Sequence, residues 1–71
     1  MDIEIKLKQL LKEKNLKQYE IAEKTGLTTR TISELVNNQV ERIPKKALIK
    51  IAVALEVTDI RELIDFKHNS E

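Results

Sequence analysis

The chain has no cysteine and no tryptophan, one glycine, one proline, one histidine and only two aromatic side chains, Tyr19 and Phe66. Each scarcity closes off a class of answer. Without cysteine there is neither a disulfide framework nor a thiolate metal site. His68 as the lone histidine excludes a zinc finger and leaves zinc catalysis without ligands, so no metal is expected. Two aromatics are too few to stack the bases of a single strand. The longest apolar run, Ile51 to Leu55, is far too short to span a membrane. Met1-Asp2-Ile3-Glu4 lacks the basic start and apolar block of a signal peptide, so a cytoplasmic location is expected. Ser33 and Ser70 have no suggestively placed histidine, the acids are dispersed, and no glycine-rich phosphate loop exists. Neither an enzyme nor a cofactor is expected.

What is present is charge and helical periodicity. A length of 71 residues allows one domain with one small core. The formal net charge is only +1, but it is unevenly spread. Residues 1–51 hold 11 Lys/Arg against 7 Asp/Glu; residues 52–71 hold 2 against 5. Binding to a polyanion depends on the potential at the contact face, so a near-neutral total is compatible with it.

Ile3, Leu7, Leu10 and Leu11 form one apolar stripe, which predicts a first helix over 3–14 with Asp2 as its cap. Ile3-Glu4-Ile5-Lys6-Leu7 alternates as a strand would, but its continuation through Leu10 and Leu11 favours helix. Asn15 suits a left-handed stop, and Leu16 an inward anchor. Helices are expected at 18–24 and 29–36. Residues 37–43 form the longest loop, and Pro44 fits the first position of a fourth helix that buries Leu48, Ile51, Ala52 and Leu55. Thr58 is expected to cap a short fifth helix over 59–66, with Ile60, Leu63 and Ile64 inward. The domain is read as 1–66, with 67–71 a disordered tail. The expected fold is all-α, with five helices packed orthogonally.

The most specific local signal runs from Gln18 to Leu35. Ile21, Ala22, Ile32 and Leu35 fall on faces that two short helices would bury against each other. Gly26 can take the left-handed conformation that ends the first of them, and Thr28 can cap the second with its hydroxyl. Such a pair presents the start of its second helix outward, and the usual partner for that shape is the DNA major groove.

These residues resemble the Cro and phage-repressor type of helix-turn-helix, the XRE family. Leu7, Leu10 and Leu11 look like that family's first helix, and Asn37-Asn38 like the turn after its recognition helix. Ala47 to Val57 look like its fourth helix and Glu62-Leu63-Ile64 like its fifth, so the likeness covers about 60 of the 71 residues. It implies a compact five-helix lambda-repressor-like domain that binds double-stranded DNA as a small transcriptional regulator, more simply a repressor than an activator. The competing reading is a protein-interaction module or antitoxin on the same fold.

By this resemblance Thr28, Thr29, Arg30, Ser33 and Glu34 read base edges. Arg30 is the strongest of them, because its guanidinium fork matches guanine O6 and N7. An i, i+4 surface ion pair between Arg30 and Glu34 is the plainer alternative. Gln18, Asn37 and Asn38 are implied as phosphate contacts. Lys17 stands where the family has a Ser or Thr cap, so it loses a cap while adding a charge for phosphate. Asn38 replaces the family's usual glycine, which asparagine tolerates because it visits the left-handed region. Arg42, Lys45 and Lys46 are candidate backbone clamps or simply a solvated basic face. Ile49, Val53, Ile60 and Phe66 are a candidate homodimer patch, with partial burial as the alternative; Ile5 is a further isolated apolar residue.

Overall fold

A computed structural model describes residues 2–67. In chain order it contains β1 (Asp2–Ile5), α1 (Leu7–Glu13), α2 (Gln18–Thr25), α3 (Thr29–Val36), α4 (Lys45–Leu55), a 3-10 turn (Ile60–Glu62) and β2 (Ile64–Lys67). The expectation of an all-α domain with five helices is corrected: the described residues form four helices and a two-stranded antiparallel sheet.

Both corrections fall at the ends of the chain and share one cause. Asp2-Ile3-Glu4-Ile5 and Ile64-Asp65-Phe66-Lys67 each alternate polar and apolar residues, and they pair as Asp2↔Lys67, Ile3↔Phe66, Glu4↔Asp65 and Ile5↔Ile64. The Lys6 N–H continues the ladder to the Leu63 carbonyl at 2.7 Å. β-branched residues with a period of two suit a pleated surface once a partner strand exists. Asp2 therefore does not cap a helix. The first helix is short and starts at Leu7, and Ile5 is buried in the core. At the other end Asp59, not Thr58, caps a single 3-10 turn: its carboxylate accepts from the Arg61 N–H at 2.9 Å. Ile60, expected inward, is exposed. Leu63 is fully buried and Ile64 partly so, as expected. β2 runs one residue into the stretch expected as tail; the remainder of that stretch, with His68, lies outside the described residues.

The middle of the chain follows its local signals. α2 and α3 lie where expected, and α2 packs against both α3 and α4. Pro44 stands at the cap of α4 rather than inside it. Ala47, Leu48, Ile51 and Leu55 are the buried residues of α4, while Ala52 is only partly covered. The core joins these to Leu7, Leu10, Leu11, Ile21, Ala22, Ile32, Leu35, Val36 and Leu63.

All four helices end at left-handed residues, although the chain has one glycine. Asn15, Asn38 and Glu56 have φ of 56°, 55° and 57°, and Gly26 has 77°. After α1, α3 and α4 the same two backbone bonds form. In α3 they run from Asn38 N to Leu35 O and from Gln39 N to Glu34 O. Leu16 and Val57, which follow two of these stops, pack against the core and hold the turns in place.

Candidate nucleic-acid interface

α3 is anchored from one side. Ile32 and Leu35 are fully buried and Val36 nearly so, which leaves Thr29 and Arg30 exposed and Ser33 and Glu34 half-covered on the opposite and flanking sides. The start of α3 is fixed by Thr28, whose hydroxyl accepts from the Thr31 N–H at 3.1 Å. The same hydroxyl donates to the Thr31 hydroxyl at 3.0 Å. Thr28 thus has a structural role at the mouth of the helix, whatever else it touches. Between α2 and α3, Gly26 provides the left-handed turn, and its N–H bonds the Ala22 carbonyl. A methyl group at Gly26 would meet nothing within 4 Å, so backbone conformation alone selects glycine there.

Arg30 and Glu34 do form the plain surface pair, with Nε and Oε2 3.6 Å apart. The Arg30 side chain is 88% exposed, so water screens the pair, and its worth is a few tenths of a kcal/mol. The pair orients the guanidinium without tying it down.

At the start of α2, Lys17 has no side-chain oxygen to offer as a cap. Glu20 supplies the other half of a capping box by reaching back, its carboxylate accepting from the Lys17 N–H at 2.8 Å. The Lys17 and Gln18 side chains remain exposed beside the free N–H groups of this helix end.

The two asparagines after α3 behave differently. Asn37 closes the helix, its amide donating to the Ser33 carbonyl at 3.0 Å. Asn38 acts over a longer range. Its Nδ2 donates to the Ile5 carbonyl at 3.0 Å, and its Oδ1 accepts from the Ile5 N–H at 2.6 Å. The side chain thereby satisfies both outward-facing backbone groups of Ile5, as a neighbouring strand would. A glycine at this position would keep the turn and lose the clasp. Asn38 was expected at phosphate; here its amide is engaged on β1.

Arg42, Lys45 and Lys46 are exposed around the start of α4. A further basic group was missed in the sequence: Lys6, Lys8 and Lys12, with Glu4 as the one acid beside them, line a groove of about 310 Å³ that also touches Val36 and Asn38, at the far end of α3. The i, i+4 spacing of Lys8 and Lys12 was visible, but not that α1 runs beside the end of α3. The fold also sharpens the charge division. Residues 6–58 carry 11 Lys/Arg against 6 Asp/Glu, while the paired ends, 2–5 and 59–67, carry 2 against 5. The sheet and its approach are thus net acidic, and the segment that holds α2, α3 and the start of α4 is net basic.

Of the expected dimer patch, Ile49, Val53, Ile60 and Phe66 are all strongly exposed. They are not brought to one place. Ile49 and Val53 line a shallow surface with Lys24 and Thr25, whereas Phe66 lies with Ile3 and Ile64 on the sheet. Among the described residues no helix is long and apolar enough to cross a membrane.

Two short helices joined by a left-handed glycine, the second pinned by its apolar side and polar outward, define a helix-turn-helix module. Residues 6–69 match the model of the Cro/C1-type HTH DNA-binding domain. The protein belongs to this family, and is a DNA-binding domain of the transcription-regulator type. No curated protein and no solved structure matches the chain.

Proposed function

We propose that this domain reads specific sites in double-stranded DNA, with α3 in the major groove. The observation that supports this best is the anchoring of α3: three buried side chains on one side and a polar, half-open row on the other. Thr29, Arg30, Ser33 and Glu34 form the base-reading row, with Thr28 at its mouth. Lys17, Gln18 and Asn37 grip phosphate from the two helix ends, and Arg42, Lys45 and Lys46 extend the grip along the loop and α4. Lys8 and Lys12 extend it beyond the end of α3.

Magnitudes favour Arg30 leaving its pair with Glu34. A bidentate contact to guanine discriminates by about 1–3 kcal/mol, against a few tenths for an exposed ion pair. Glu34 is then free to accept from a cytosine amine or to repel phosphate at wrong sites. Repression by occupying a promoter is the simplest output, since it needs no surface beyond the reading face.

The test is selection from a random duplex pool at moderate salt, run in parallel with Arg30→Ala. The expected result is an enriched motif whose preference relaxes at one position in the variant, while helicity is kept. Affinity should fall steeply as salt rises, through counterion release. Absence of binding even at low salt would remove the DNA reading. The protein-interaction reading, which the exposed apolar residues at the acidic sheet favour, would then stand in its place.

A further inference from the structure

Asn38 holds two structures at once. Its backbone ends α3: the N–H bonds the Leu35 carbonyl at 3.2 Å, and φ of 55° turns the chain so that the Gln39 N–H reaches the Glu34 carbonyl at 2.8 Å. Its side chain holds β1, through the N–H and the carbonyl of Ile5. A donor and an acceptor spent on one residue fix tilt as well as distance, as a bonded pair in a strand ladder does. The turn itself does not call for this clasp. Asn15 and Glu56 stop their helices in the same left-handed conformation and, among the described residues, make no side-chain bond to a strand.

What the clasp joins differs in firmness. On one side is the last turn of α3, which carries Ser33 and Glu34 of the outward row. Asn37 is tied to the same turn, its amide donating to the Ser33 carbonyl at 3.0 Å and to the Ser33 hydroxyl at 3.4 Å. On the other side is the sheet. Its inner end is firm, with Ile5 buried opposite Ile64 and the Lys6 N–H on the Leu63 carbonyl. The rest is weak: Glu4 lies opposite Asp65, a like-charge pair, and Ile3 and Phe66 are paired yet exposed. Two strands alone are marginal in water, so the sheet belongs to the least stable part of the domain.

We propose, on the reading that α3 enters the major groove, that Asn38 is a positioning residue: through it the pairing of β1 with β2 sets the end of α3 and so the affinity for DNA. Its amide serves β1 rather than phosphate. Asn37, Ser33 and Glu34 meet the DNA, and Asn38 holds the turn from which they project. Linkage makes the effect reciprocal: a closed sheet favours DNA, and bound DNA tightens the sheet by the same factor.

A double-mutant cycle on the whole chain tests this, with the duplex enriched by the wild type as probe. Asn38→Gly keeps the left-handed turn and removes the clasp. Ile64→Ala loosens the strand opposite Ile5. Both are uncharged changes, so the potential facing DNA is unaltered, and binding is measured at a temperature where circular dichroism shows every variant folded. Asn38→Gly should weaken binding about 5- to 30-fold. Ile64→Ala should weaken it about two- to three-fold in the wild-type background and leave it unchanged in the Asn38→Gly background. Amide exchange at Asn37 and Gln39 in the free protein reads the clasp without DNA. It should quicken in Ile64→Ala, and be no faster in the double variant than in Asn38→Gly alone. Wild-type affinity in Asn38→Gly would overturn the proposal. Additive losses would also overturn it, since they would mean that Asn38 touches phosphate itself. Exchange at Asn37 and Gln39 that ignores Ile64→Ala, with DNA binding intact, would overturn the clasp and leave the DNA reading standing. A wild type that binds no duplex would overturn the DNA reading and, with it, this use of Asn38.

Discussion

The α2–α3 pair and the terminal sheet solve the same problem, burial of an apolar side, in opposite ways. α2 and α3 complete the solution over a short stretch of chain. Ile21, Ala22, Ile32, Leu35 and Val36 are buried, Gly26 turns the backbone, and Thr28 caps the second helix. The sheet joins residues from the two ends of the described chain and buries only its inner end, Ile5 with Ile64 and Leu63, leaving Ile3 and Phe66 out. One region is closed on itself and presents polar atoms. The other is fastened at one end and presents apolar ones. A small domain can therefore hold one helix firmly with its polar side outward while keeping a second surface whose energetics are unfinished.

Asn38 is the direct side-chain joint between the two regions, and breaking it is expected to have the largest effect. Asn38→Ala removes both bonds to Ile5, leaves a partly buried N–H unpaired and places alanine at φ 55°. The loss should be about 1–3 kcal/mol, or roughly 4–8 °C in Tm for each kcal/mol in a domain of this size. Asn38→Gly should recover the left-handed share and not the clasp. Thermal melts of the two variants, with exchange of the Ile5 amide, separate these contributions. Equal melting of Gly, Ala and wild type would mean that the regions are not coupled here.

The left-handed stops sharpen the comparison with opposite signs. Gly26→Ala in the turn should cost about 1 kcal/mol, from backbone conformation alone. Glu56, at φ 57° after α4, has no side-chain partner among the described residues. Glu56→Gly should therefore stabilise by up to about 1 kcal/mol, the relieved strain exceeding the added freedom of the unfolded chain. Urea denaturation reads both changes, and a destabilised Glu56→Gly would contradict this assignment of strain.

The smallest effect belongs to the approach to the sheet. Asp59 is held at about 2, below its ordinary 3.8, chiefly by the side-chain bond from Arg61 and then by the Arg61 backbone N–H. Its folded pKa is depressed, so its contribution is complete above 3.8 and is lost as pH falls through about 2. The Asp59–Arg61 pair lies open to water on one side, which keeps the contribution slight. Asp59→Asn should flatten that acid step in the stability profile and change little at neutral pH, as followed by acid titration of helicity.

The helix-turn-helix was legible because its signals are local: a glycine, a hydroxyl cap and apolar residues three and four apart. Its boundaries and outward row followed from them. The sheet was not legible from the same kind of reading. The alternation in Ile3-Glu4-Ile5 is visible, but a strand is decided by its partner, and Ile64-Asp65-Phe66-Lys67 lies at the far end of the described chain. Two short half-strands, each plausible as the end of a helix, become a sheet only together. The site divides in the same way. The exposure of Arg30 and Gln18 followed from helical phase. The clasp from Asn38 to Ile5, and Lys8 and Lys12 beside the end of α3, depend on tertiary approach, which no local spacing encodes.

Because Asp2 pairs with Lys67, whatever precedes the first strand and whatever follows the second leave the domain from the same pole. α3 is built from the middle of the chain, and its contacts with α1 and α2 are complete before β2 has been synthesised. During translation the helical part can thus assemble while β1 still waits for its partner, and closing the sheet is the longest-range event of folding. Tags or tethers fused at either end would share one exit, so a fusion at one terminus would crowd the other.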